Sequence, residues 1–459
     1  MKSLVLGKRR LAWWISILFT AIIYIGVRIV KTESSAPSSF AARELVLEDM
    51  LRDVELDHLE SYLGSFYNVT DFKEAGRRQR HLFAIQDAMS ECNQDFHLKA
   101  KLKSIIETAE SRLYPWLSSN STLDLIQTFH GRGIVMPVGS THFRLAKQSI
   151  KVVRELGCSL PIQVMYMGDG DLNDNQLIEL HSFENVTTID ITKLVDNEIL
   201  RLSGWAIKPF CMLVSSFQQI ILMDADAIFL QDPTLLFSDE GFLQNGSLFF
   251  KDRTLFAGVE WQPSWLQSFL PSPLTKAVKS MRYFKKESSH EMDSAVVVMD
   301  KSKVFRGLLS VCYLNAFDQR NLLYKRIYGD KETFWIGFAL VNIPFHFQES
   351  ASAVIGVKRS SSAMDIDTSQ QDIICGKVLH LDSNGAPLWW NGGLDLDKYT
   401  VEGRQSFQKV EGWSLEGEWE FSNSCIFDSQ IEVLDKRIEN LINNVYKDIW
   451  KEINKVTLI

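Results

Sequence analysis

Two carboxylates one residue apart at the end of a buried strand make a candidate cation site, and Gln219–Leu230 (QIILMDADAIFL) has that form. Asp224 and Asp226 interrupt an apolar run there, where hard carboxylate oxygens can share a divalent ion. Such an ion would neutralise a nucleoside diphosphate and assist its departure as a leaving group. Asp-x-Asp alone is a weak signal, because Asp169-Gly-Asp171, Asp365-Ile-Asp367 and Asp395-Leu-Asp397 repeat it in turn-like or loop-like contexts. Lys208, upstream in GWAIKP, is either a phosphate partner or an ordinary lysine at a helix start. His380 lies near the strand end inside the apolar run KVLHL and is either a third metal ligand or a satisfied polar residue. Asp330 and Glu332 precede the apolar run TFWIGFAL, as a helix cap or as carboxylates facing a sugar. Trp389-Trp390-Asn391-Gly392-Gly393 reads as a flat aromatic platform for a sugar ring or as a mobile loop.

Positioning these groups requires a sheet. From Gly133 onward, short β-branched runs alternate with helical stretches. Strands are expected at Gly133–Val138, Ile162–Met167, Thr187–Ile191, Gln219–Met223, Ser294–Met299 and Lys377–Leu381, with helices at Thr141–Leu156 and Ala206–Phe217. This alternation implies an α/β fold with a mostly parallel sheet flanked by helices. The preceding Ala41–Leu117 has helical spacing and reads as a stem or accessory region. Near the far end, Ser429-x-x-Glu432 is a capping box ahead of an apolar stripe from Ile431 to Ile453, which implies a terminal helix packed on the domain.

The first ten residues carry Lys2, Lys8, Arg9 and Arg10, and Leu11–Val27 is an uncharged run of 17 residues. A run of that kind just spans a bilayer and would leave the basic tail cytoplasmic and the rest luminal. A cleaved signal peptide ending near Ala41 is the alternative. Sequons at Asn68, Asn120, Asn185 and Asn245 agree with luminal exposure. The layout is therefore a tail at 1–10, an anchor at 11–30, a helical stem at 31–130, a catalytic domain at 131–395 and a helical region at 396–459. A net charge of −8 and a pI near 5.7 exclude a general nucleic-acid binder. None of the six cysteines forms a CxxC pair, so zinc has no support, and Cys211 reads as a free core thiol.

Taken in order, GIVMPVGSTHFRLA, LPIQVMYMGDGDL, GWAIKPF, SSFQQIILMDADAIFLQDP, GSLFFKDR, MDSAVVVMDK, GDKETFWIGF and CGKVLHLDSNGAPLWWNGG resemble the fungal Golgi α-mannosyltransferase family that includes the terminal α-1,3-mannosyltransferases. The resemblance covers roughly residues 130–395. It implies a GT-A-like fold and metal-dependent, retaining transfer of mannose from GDP-mannose to mannose-containing N- or O-linked glycans. By it, Asp224 and Asp226 would bind Mn²⁺ and the diphosphate, with His380 as the later metal ligand and Lys208 beside the phosphates. Gly139 and Asp169 would lie at strand ends near the nucleotide. Asp293, Asp330 and Glu332 would line the sugar and acceptor side, with Asp293 or Asp330 as nucleophile or electrostatic stabiliser. It further implies a type II protein of the Golgi membrane that can associate with other mannosyltransferases. In one departure, Ala295 stands where the family has glycine. An α-1,2 linkage or another donor sugar is the near alternative. A non-catalytic luminal scaffold and a secreted glycoside hydrolase are the readings of other classes.

Overall fold

The computed structural model describes residues 53–92, 95–117, 121–359, 373–394, 410–415, 417–420, 424–427 and 430–445. The tail and anchor at 1–30, the Asn120 sequon and the pairs Asp365/Asp367 and Asp395/Asp397 lie outside the described residues. Among the described residues, no helix is long and apolar enough to cross a membrane. The chain divides into two compact units, residues 1–58 and 59–459, and the second holds both sheets.

The main sheet is built from β1 (His130–Pro137), β2 (Ile162–Tyr166), β3 (Val186–Asp190) and β4 (Phe217–Met223), all parallel. β5 (Ala227–Phe229) leaves this sheet for a second one. β6 (Ser247–Lys251) and β7 (Met292–Asp300) complete the main sheet in the order β3-β2-β1-β4-β7-β6. β7 runs antiparallel to both β4 and β6, so the sheet is mixed: five strands point one way and β7 alone points the other. The reason is visible in β7 itself: all nine residues of MDSAVVVMD are buried. A continuous apolar run reports burial on both faces, not strand direction.

The second sheet consists of β5, β8 (Ala353–Arg359), β9 (Ile373–Leu381), β10 (Pro387–Asn391), β11 (Gly412–Ser414), β12 (Glu418–Glu420) and β13 (Cys425–Phe427). Its order is β11-β8-β9-β10-β5, with β13 on β9 and β12 on β13, and every pairing is antiparallel. The KVLHL strand therefore belongs here and not to the main sheet. A disulfide joins Cys375 on β9 to Cys425 on β13, which are cross-strand partners, while Cys92, Cys158, Cys211 and Cys312 are free thiols.

Two cores meet at β10. Adjacent residues of a strand point to opposite faces, so Trp389 packs with Ile221, Phe250 and Val298, and Trp390 packs with Ile355, Leu379 and Ile442. Both indoles are fully buried, which removes Trp389-Trp390 as a sugar platform.

The helices Phe72–Glu91, Phe96–Leu113 and Thr122–Thr128 are capped by Asp71, Asp95 and the Ser121–Asp124 box. They are docked on the body rather than extended away from it. Arg80 donates to the Leu340 carbonyl (2.5 Å), and Arg306 forks onto Asp87 at 2.9 and 2.5 Å. Toward the C-terminus the described helix runs over 436–445, with Asp435 capping the Arg437 amide (2.6 Å). Glu432 instead pairs backbone to backbone with Trp413, so the helix starts later than the capping-box pattern implies. Of the described sequons, Asn68 and Asn185 are exposed. Asn245 is half-buried, donates to the Gly241 carbonyl (2.9 Å) and is followed by the fully buried Ser247.

Candidate active site

Because β7 opposes β4, and β6 opposes β7, the carboxyl ends of β2, β1, β4 and β6 and the amino end of β7 share one edge of the main sheet. Ligands of open α/β sheets bind beyond such ends. A cavity of about 980 Å³ lies along that edge. Its wall passes from Gly139 after β1 and Met167 after β2, through Asp224–Asp226 after β4 and Asp293 on β7, to Asp252 after β6.

Asp224-Ala225-Asp226 is the link between the two sheets. β4 ends at Met223 in one and β5 begins at Ala227 in the other. The Asp224 amide donates to the Ala295 carbonyl on β7 (2.7 Å), and the Ala227 amide closes the turn on the Asp224 carbonyl (3.0 Å). From the second sheet, the Gly392 and Gly393 amides donate to the Asp226 carbonyl at 3.0 and 2.7 Å. Their φ angles of 122° and 71° are costly for residues with a Cβ, so the glycine pair serves as a backbone clamp on the motif.

Lys208 rises from the helix Ile207–Val214 with its side chain 5% exposed. Its Nζ donates to Asp224 Oδ2 (2.9 Å) and to the Ser294 carbonyl and hydroxyl (3.1 and 3.0 Å), and lies 3.5 Å from Asp330 Oδ2. Burial opposes its charge, but the Asp224 and Asp330 carboxylates overcome that and hold its pKa above the ordinary lysine value. Asp330 also accepts from Ser294 Oγ (3.1 Å), and burial pushes its carboxyl up against the pull of Lys208. Asp224, facing the cavity with its side chain a quarter exposed, is pushed up to about 7. Burial is the main cause, Lys208 resists it, and the neighbouring Asp226 and Asp330 charges add to it.

Asp293 occupies the cavity wall between the sheets. Its Oδ1 accepts from the Ala295 amide (2.9 Å), and Asn391 Nδ2 reaches both oxygens at 3.4 and 3.3 Å. His380 Nε2 is 3.1 Å from Oδ2. Burial would raise this carboxyl, but the His380 hydrogen bond and charge and the Ala295 amide hold it well below the usual carboxylate range. The imidazole itself is stacked on Trp389 at 4.0 Å and is 2% exposed. His380 thus orients Asp293 and does not line the cavity. Among the described residues, no three His, Cys, Asp or Glu side chains are gathered closely enough to hold a metal ion by themselves.

The structure brings Gly139, Lys208, Asp224, Asp226, Asp293 and Asp330 to one cavity. Asp169 is exposed and stands outside it. Its neighbour Asp171 takes that place, accepting from the Ser140 and Met167 amides at 3.1 and 3.0 Å and so tying the turns after β1 and β2 together. Glu332 is fully buried away from the cavity. Its oxygens accept from the Glu291 amide (3.0 Å) and Trp335 Nε1 (2.6 Å), which ties the residue before β7 to the helix Lys331–Leu340. Among the cavity groups outside the sequence-derived set, Asp252, His290 and Lys331 form a cluster of their own. Lys331 Nζ donates to Asp252 Oδ2 (2.5 Å) and to His290 Nδ1. The strand-end run FFKDR and the lysine between Asp330 and Glu332 were the available signals, and neither is specific.

Residues 131–382, more than half of the chain, match the family model described as "Mannosyltransferase putative". The chain is 25% identical over 343 residues to the "Putative alpha-1,3-mannosyltransferase MNN14" of Candida albicans, covering 62% of this chain and 49% of that protein. It is 26% identical over 310 residues to the alpha-1,3-mannosyltransferase MNT3 of Saccharomyces cerevisiae, covering 60% and 49%. The chain thus spans about half the length of these curated relatives. Among solved structures it is similar to the glycosyltransferase GlyE of Streptococcus pneumoniae (TM-score 0.32, 13% identity, 48% and 45% covered). Core-mannan synthase A of Aspergillus fumigatus is another (TM-score 0.32, 11% identity, 48% and 72% covered). Likeness at that level informs neither the reaction nor the site.

Proposed function

The chain belongs to this mannosyltransferase family, and from that premise we propose that it transfers mannose from GDP-mannose to a mannose-terminated N- or O-linked glycan, forming an α-1,3 linkage. The observation that carries the reading is the strand-end pair Asp224 and Asp226, set in a cavity that the family-matched segment lines except for Asn391. The α-1,3 linkage is supported by the names of the relatives and the donor by the motif resemblance.

The residues present fit a divalent cation. Asp226 and Asp330 both press upward on the Asp224 carboxyl, a repulsion that a bound cation relieves. Asp224 and Asp226 would hold Mn²⁺, whose contribution is to neutralise the departing diphosphate. Lys208 keeps Asp224 and Asp330 oriented from behind, and Asp171 fixes the turns beside Gly139 that face the nucleoside. Asp293, held ionised, is the group suited to meet positive charge developing at the anomeric carbon, either by covalent attack or electrostatically. Retention follows if Asp293 displaces the diphosphate from the opposite sugar face and the acceptor hydroxyl then displaces Asp293, or if the acceptor enters on the face the diphosphate leaves while Asp293 stabilises the charge; Asp330 is the alternative carboxylate. We place the protein in the Golgi membrane with residues 11–30 as anchor, a reading supported by the apolar run and the basic residues before it.

The test uses the full-length chain with GDP-mannose, α-mannobiose and Mn²⁺, and Asp226→Asn as control. Mannose transfer that stops with a chelator, together with Mn²⁺ binding weakened about tenfold or more in the variant, is expected. A folded protein that consumes no GDP-mannose, or that prefers a UDP-sugar, would sink the assignment.

A further inference from the structure

We propose that the β6–β7 end of the cavity is the acceptor subsite, which takes a terminal hexopyranose stacked on the exposed rings of Trp205, Phe256 and Tyr328 and hydrogen-bonded by Asp252, His290 and Lys331. The inference deepens the transferase reading and rests on it.

Large aromatic rings left in water are costly unless something covers them. Trp205, Phe256 and Tyr328 are 50%, 53% and 63% exposed, and all three line this one cavity. Trp205 and Tyr328 lie 5.3 Å apart at 44°, and the His290 ring sits 5.6 Å from Phe256 and 6.1 Å from Tyr328. The placement is built into the backbone. Gly329 has φ +66°, and a Cβ there would fall 2.7 Å from Trp205 Cε3, so only glycine lets the indole lie against that turn.

Beside these rings stands a polar cluster with capacity left over. Lys331 has only donors. Its bond to His290 Nδ1 therefore makes that nitrogen an acceptor, and the neutral imidazole carries its proton on Nε2. Burial and the Lys331 charge push His290 down to about 4, so the ring is neutral near pH 7. His290 is 9% exposed and lines the cavity, yet among the described residues Nε2 has no hydrogen-bond partner. A hexopyranose offers both complements: a C–H face for the rings and hydroxyl oxygens for an N–H donor.

Sheet order argues for the acceptor rather than the nucleobase. Asp252 follows β6 and His290 precedes β7, on the far side of Asp224–Asp226 from β1 and β2. With the diphosphate at the aspartates and the nucleoside beyond β1 and β2, the β6–β7 end is left for the second sugar.

The test measures α-mannobiose and GDP affinities by saturation-transfer NMR on the full-length chain carrying Trp205→Ala, Phe256→Ala or Tyr328→Ala. GDP-mannose hydrolysis by the wild type is followed in parallel. Each truncation is expected to weaken α-mannobiose at least about tenfold while GDP binding stays within about twofold. Trp205→Phe and Tyr328→Phe should retain most of the affinity. No α-mannobiose binding by the wild type, or unchanged binding in the alanine variants, overturns the subsite. So does a loss confined to GDP, which would assign the rings to the base. Unchanged α-mannobiose binding alongside intact GDP-mannose hydrolysis removes the subsite alone. Binding that depends on the rings, without turnover of GDP-mannose, keeps the subsite and removes the transferase reading.

Discussion

Replacing Lys208 with methionine removes the cation from a buried cluster while keeping most of the side-chain volume. Its ammonium lies 2.9 Å from Asp224 Oδ2 and 3.5 Å from Asp330 Oδ2, and these two carboxylates are 25% and 4% exposed. At an effective dielectric near 20, each contact is worth ~5 kcal/mol before desolvation. Methionine needs no desolvation of its own, which offsets part of that. What remains is the expense of leaving Asp330 and Asp224 without a counter-charge, about 3–5 kcal/mol for a broken buried pair. The loss should depend on pH, because without Lys208 the two carboxyls shift upward and can take up protons. Urea unfolding of Lys208→Met is therefore expected to show the full loss at pH 8 and about half of it or less at pH 5. A loss below about 1 kcal/mol, or one equal at both pH values, would refute the view that Lys208 is the electrostatic keystone of the site.

Glu332 supplies a second pH effect of known sign. Burial raises its folded pKa to about 7, above the ordinary carboxyl value of 4.5. The folded state thus binds this proton more tightly than the unfolded chain, so stability from this group is highest below about pH 4.5 and falls as pH climbs to about 7. The amplitude is about 3 kcal/mol, and Glu332→Gln should flatten that segment of the stability–pH curve. Removing the disulfide with Cys375→Ser, which opens a link between residues 50 apart in sequence, should lower stability by about 2–4 kcal/mol in denaturant titrations under non-reducing conditions. A change below about 0.5 kcal/mol would mean that β13 holds on β9 by its backbone pairing alone.

The parallel core is legible because β1, β2, β3 and β4 are short apolar runs between turn residues, each followed by helix or turn signals. Strand direction is not, since β7 is buried from end to end and its pattern is the same either way up. Much of the second sheet is also hidden: β11, β12 and β13 have three residues each, too few for alternation to register. At the site, Asp224 and Asp226 stand out because a charge ending a long apolar strand needs a reason. Choosing Asp171 over Asp169 depends on which side chain can reach the Ser140 and Met167 amides, a matter of turn geometry that residue type does not encode. Trp389-Trp390 misleads for a related reason. Paired tryptophans suggest a binding face, but neighbours on a strand face opposite ways, and here each fills a different core.

The turn at Asp224–Asp226 has its two ends fastened to different bodies. The amide of Asp224 is bound to Ala295 in the main sheet, and the carbonyl of Asp226 to Gly392 and Gly393 beyond β10 in the other. A lateral slip of one sheet past the other would change the spacing of the two carboxylates before it changed anything else in the cavity. The motif is in that sense a calliper across the seam. Any ligand that demands a set opening of its jaws locks the alignment of both sheets, and whatever alters that alignment alters the grip by the same free energy.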